Sequence, residues 1–186
     1  MMEILAVLSV AAAAGMRIAL PLLVIGLLQS DNLWYQIPLL SHIHPFVLLC
    51  ILTSWSLFEL FASKKLLGQR VLQVFQLLLS PVVGAIMGIA VARFAETPTP
   101  FIWIVGIVSS LFAFVLQLVQ VGWFYRLRGL PIWLVLLQDI LCVALVIFAF
   151  DAPQQGGLIA LLLLWLAIRS SGHWHRWYRE GLGNRG

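Results

Sequence analysis

Charge is what this chain has least of: of 186 residues only 10% are charged, while 62% are hydrophobic. Soluble domains usually carry about 25% charged and about 45–50% apolar residues. An aqueous globule of this composition would leave a large apolar area in water, so a soluble fold is excluded. Cysteine is scarce too. Cys50 and Cys142 both sit in apolar runs and form no CxxC or Cys/His spacing, which excludes a disulfide framework and a thiolate metal site. They read as reduced packing residues. The patterns GxSxG and HExxH are absent, as are paired aspartates on one apolar run, so an enzyme is not expected. The start Met1-Met2-Glu3 has no positive n-region, so the first apolar run reads as a retained span.

Long apolar runs are what the chain does have. A helix needs roughly 20 apolar residues to cross the hydrocarbon layer. Six runs qualify, at about 4–28, 45–63, 71–93, 101–124, 131–150 and 156–172, followed by a basic aromatic tail at 173–186. Pro45, Gly68, Pro98, Pro100, Gly129, Pro131, Pro153 and Gly156-Gly157 punctuate their ends. The expected architecture is all-α, a polytopic transmembrane helical bundle of about six spans in one domain. Two sets of three spans make an inverted repeat an available plan, because three is odd.

The few charges are unevenly placed. Nine of the eleven Lys and Arg residues fall at 64–70, 125–130 and 169–185. The alternate connections hold Asp31, Glu96 and Asp151, with Arg93 at their edge. Lys and Arg mark the cytoplasmic face, so six spans place both termini inside. The same cations point to anionic lipid rather than nucleic acid as a partner. The connection from Gln29 to His44 and the tail from Gly172 to Arg179 mix rings and polar groups, as interfacial segments do. His173 and His175 form a conceivable metal or pigment pair, but no second ligand set accompanies them; no metal or cofactor is expected.

Three charges lie inside apolar runs, where each costs roughly 2.5–3.5 kcal/mol on insertion scales and normally finds a partner. Arg17 is about 20 Å along a helix from Ile4, and Asp139 about 12 Å from Pro131 on the same side, a gap in depth that the Arg side chain can bridge. They are expected to meet in the bundle core, as a structural or a functional pair. Glu59 lies one turn from Ser63-Lys64-Lys65, so its expected place is the cytoplasmic boundary beside Lys64. Polar and small residues recur at helical steps in three runs: Gly106, Ser110, Ala113, Gln117 and Gln120; Gln73, Gln76, Ser80, Gly84 and Gly88; and, more loosely, Thr53, Ser56, Glu59 and Ser63. Such stripes fit helix packing through Gly84, Gly88 and Gly106, or the lining of a polar path through Ser80, Gln117 and Gln120.

The stretches Ala14-Gly15-Met16-Arg17-Ile18-Ala19-Leu20-Pro21-Leu22-Leu23, Phe58-Glu59-Leu60-Phe61-Ala62-Ser63-Lys64, Ser80-Pro81-Val82-Val83-Gly84 and Gln138-Asp139 resemble an uncharacterised bacterial membrane family, domain of unknown function 4126. The resemblance implies a multi-pass protein of the bacterial inner membrane, or of the thylakoid in a cyanobacterial host. It draws attention to Arg17, Glu59, Lys64 and Asp139, and it implies no reaction. This chain has Ser63 and Gln138 where the family pattern is acidic, which weakens an acidic cation site. Two functions follow as expectations. One is a small-solute or ion transporter or channel with a polar core. The other is a non-catalytic assembly or accessory subunit of a larger membrane complex, self-associating or joined to other membrane proteins. A pigment-bearing complex is one such context, with His42, His44, His173 or His175 as ligands.

Overall fold

The computed structural model describes residues 2–28, 44–62, 66–95, 99–127 and 132–183, and these form seven helices and no strand. They are α1 (Met2–Met16), α2 (Ala19–Leu28), α3 (Pro45–Ala62), α4 (Leu66–Phe94), α5 (Thr99–Leu127), α6 (Ile132–Asp151) and α7 (Pro153–Gly183). Among the described residues, Arg70–Phe94, Phe101–Phe124 and Trp133–Asp151 are long and apolar enough to cross a membrane, and Met2–Met16 and Leu49–Glu59 are shorter apolar helices. Large apolar side chains such as Leu78, Trp103 and Ile140 point outward. That is the surface of a helical bundle solvated by lipid.

The centre of the bundle is α1. Ala11, Ala12, Ala13 and Ala14 are all fully buried, and α1 packs against α4, α5, α6 and α7. A helix hydrophobic all round belongs inside. Its short side chains let four neighbours come close without a hydrophobic driving force between them. At Gly15 a Cβ would lie 2.7 Å from the Ala113 carbonyl oxygen of α5, so α1 and α5 touch backbone to backbone there.

The first apolar run is not one helix. Pro21 has no N–H to give the Arg17 carbonyl, and its ring crowds that carbonyl. Helical bonding therefore stops with Arg17 N–H donating to Ala13 O at 3.0 Å, and the chain bends at Ile18 before α2 begins. Past the break, α2 leaves the centre and packs on α3 and α6.

This break overturns one expectation. With six single crossings, the first and fifth runs would point the same way. Instead α1 runs antiparallel to α6: Ser9 donates to Leu145 O (2.6 Å), Cys142 Sγ lies 3.5 Å from Ala13 O, and Arg17 meets Asp139. Gly156 and Gly157 at the start of α7 abut Ser9 and Leu5. The start of α1 thus shares an end of the bundle with the turn between α6 and α7. Counting apolar runs assumes each crosses once, and a run split by Pro21 breaks that parity.

Other boundaries differ less. α6 and α7 are separated by Ala152 alone, whose carbonyl accepts from Gln155 and Gly156 as Pro153 opens the new helix. The sixth run and the tail form one helix to Gly183. The 29–43 connection with His42, the residues 63–65 with Lys64, and the side chains of His173 and His175 lie outside the described residues.

Candidate functional site

α4 and α5 cross through their smallest residues. A Cβ on Gly84 would stand 2.6 Å from the Ala113 Cβ, and one on Gly88 would collide with Ser109. Gly106 is less constrained, since only the flexible Ile89 side chain faces it. Ser109, fully buried, occupies the inward position that stepping along the sequence had assigned to Ser110, which is only partly buried. Outward-facing Trp103, Ile107, Leu111 and Leu118 mark the opposite side of α5. The close seam continues into a polar one, because Gln73, Gln76 and Ser80 lie on the same buried face of α4, and Gln117 on that of α5.

At the level where α1 breaks, that polar seam meets the charges. Arg17 Nε donates to Asp139 Oδ1 at 2.6 Å, and its Nη1 lies 3.7 Å from Glu59 Oε2. The other oxygen of Glu59 accepts from Trp55 Nε1 (3.0 Å) and Gln76 Nε2 (3.3 Å). Gln117 Nε2 in turn reaches Gln76 Oε1 at 3.5 Å. Side chains of Arg17 and Glu59 are only 6% and 3% exposed, and Asp139 16%. Arg17, Glu59, Asp139, Ser56, Leu20 and Leu57 enclose a cavity of about 80 Å³. It has room for a few waters and no bulky solute.

A second set of bonds seats the break itself. Ending α1 at Met16 frees a carbonyl that helix geometry no longer satisfies. Gln138 Nε2 donates to that Met16 oxygen at 2.7 Å and to Gln120 Oε1 at 2.8 Å.

Arg17 and Asp139, expected to meet in the bundle core, are in direct contact, although the depths were counted from one side and the two helices run antiparallel. Glu59 must be moved from the boundary to the centre. It is 2% exposed and faces Arg17, because hydrocarbon leaves a carboxylate near the end of α3 no better neighbour than the guanidinium freed at the break. Thr53 also leaves the expected stripe: it is exposed and bonds Leu49 O one turn back. Ser80 is fully buried, and its hydroxyl has no partner among the described residues, as is true of Ser109 Oγ and Gln73 Oε1. Trp55 was missed as a site residue, although it stands four residues before Glu59 on the same helical face. Gln138 drew notice only as Asp139's neighbour, and nothing in sequence marked it as the cap of a distant helix. Among the described residues no group of three His, Cys, Asp or Glu could hold a metal.

These features define a class: an integral membrane protein, all-helical, with an ion cluster buried where its central helix breaks. The chain belongs to the family described as Domain of unknown function (DUF4126), whose model matches residues 4–173. No curated protein and no solved structure matches it.

Proposed function

We propose that the protein is a membrane transporter that moves protons or a small monovalent cation through the Arg17–Glu59–Asp139 cluster, and is not an enzyme. The observation that carries this reading is a charge imbalance. One guanidinium faces two carboxylates in a nearly dry site. A surplus negative charge in low dielectric is costly, and a proton or a small cation in the adjoining 80 Å³ cavity removes the surplus. Intramembrane acids paired in this way commonly serve as ion or proton relays. Gln76, Gln117 and the Gln73 Oε1, Ser80 Oγ and Ser109 Oγ atoms, which have no partner among the described residues, extend polar groups away from the cluster between α4 and α5, and bound water between them would continue the route.

In this reading the helices cross the membrane several times. The ends bearing Lys64, Lys65, Arg126, Arg128 and Arg169 face the cytoplasm. The start of α1, grouped with the α6–α7 turn, then faces the other side. The resemblance noted above supports a bacterial inner membrane as the setting.

The test is proton flux into liposomes holding the purified chain and a trapped pH-sensitive dye, driven by an imposed membrane potential. Flux in wild type that is lost in both Asp139→Asn and Glu59→Gln is the expected outcome. An impermeable wild type, or flux unchanged in both variants, ends the proposal.

One observation favours the accessory-subunit reading. Both Glu59 oxygens are engaged, as in a cluster that only holds helices together. Purification in mild detergent that yields stoichiometric membrane-protein partners, with no flux, would select it.

A further inference from the structure

Because α1 surrenders the bundle axis at Met16, the space past its end is not filled by helix. α5, α6 and α7 instead enclose a pocket of about 260 Å³ with Met16 and the Gln120–Gln138 pair at its deep end. Leu116, Leu137, Leu141, Leu163 and Ala167 form its walls, and Trp123 and Trp133 stand at its mouth. From Trp133 to Leu141 the pocket extends about 12 Å along α6. Its opening lies where α5 ends and α6 begins. Trp123 Nε1 donates to Ser170 Oγ at 2.7 Å there, tying α5 to α7. Beside it, Arg169 is exposed one turn past Leu166 and stacks 5.3 Å over Trp165. Indoles at the headgroup level and an arginine held over a ring are interfacial features.

We propose that this pocket is a specific site for one anionic phospholipid, with an acyl chain lodged between α5, α6 and α7 and its phosphate held at Arg169. The walls suit a hydrocarbon chain and little else. Packed interiors keep few voids larger than a water molecule, so a pocket of this size is room for an acyl chain. Arg169 stands beside the mouth, so a negative headgroup is favoured over a zwitterionic one. The site is separate from the ion cluster, and its fate does not depend on transport.

The experiment is native mass spectrometry of the full detergent-purified chain titrated with phosphatidylglycerol or with phosphatidylcholine of the same acyl chains. The expected result is one phosphatidylglycerol retained at least five-fold more tightly than phosphatidylcholine. Ala167→Phe, which fills the pocket, should lower retention of both lipids about ten-fold. Arg169→Gln should erase only the preference between headgroups. Should Ala167→Phe fail to fold, Leu137→Trp narrows the same pocket from α6, while exposed Arg169 leaves packing untouched. Equal retention of the two lipids by wild type, or wild-type retention by the pocket variants, overturns the proposal.

Discussion

The seam of α4 and α5 around Gly84, Gly88, Ser109 and Ala113 and the cluster of Arg17, Glu59 and Asp139 both hold this bundle together, by opposite means. The seam removes side chain, so backbones approach and dispersion does the rest. The cluster inserts charge that lipid rejects, so it binds only because each group would be worse off alone. The first tolerates nothing larger, and the second tolerates nothing missing. A neutral seam can be static. A cluster with two acids and one base holds a surplus charge that a proton or cation can relieve, and the transport proposal rests on that difference.

The largest effect should come from Arg17→Gln. It strands two carboxylates, and breaking a buried pair by deleting one partner costs about 3–5 kcal/mol. Thermal unfolding in detergent micelles should show the loss, and Asp139→Asn added to it should restore part. If the two losses simply add, the residues are not coupled and the cluster model is wrong. Next is the seam: Gly88→Val forces a branched side chain onto Ser109 and should cost about 1–3 kcal/mol as overpacking. The paired variant Ser109→Gly should relieve it, and no relief would mean that the helices do not meet there.

Asp139→Asn by itself should be milder than Arg17→Gln, since Arg17 keeps Glu59 as its counter-ion. Equal damage from the two would show that Glu59 does not share the guanidinium. Smallest is Trp123→Phe, which deletes one exposed hydrogen bond to Ser170 and should cost about 0.5–1.5 kcal/mol. A drop as large as that of the seam variant would mean that the α5–α7 tie carries more than this bond.

Much of this was legible beforehand. The apolar runs become helices, and the steps of Gln73, Gln76, Ser80, Gly84 and Gly88 do face inward. Arg17 and Asp139 do meet as expected, but not by equal depth from one side, since α1 runs antiparallel to α6. Periodicity could not choose between Ser109 and Ser110, which differ by 100° around α5, because both have neighbours at three- or four-residue steps. Glu59 was misplaced for a similar reason: the sequence shows Lys64 nearby but not the guanidinium of another helix. Gln138 shows no local sign of its task, since the carbonyl it caps is exposed only by a proline far away in the chain.

Composition and hydrophobic spacing by themselves determined that this is a helical membrane protein with buried charges, since lipid admits few other arrangements of backbone and charge. The tertiary structure alone decided that Glu59 joins Arg17 and Asp139, and that α1 runs against α6. The reason is physical. Lipid is indifferent to which helix satisfies a charge, whereas packing of the alanine-rich α1 among four neighbours, and its break before Pro21, leaves Arg17 facing Asp139 and Glu59 together.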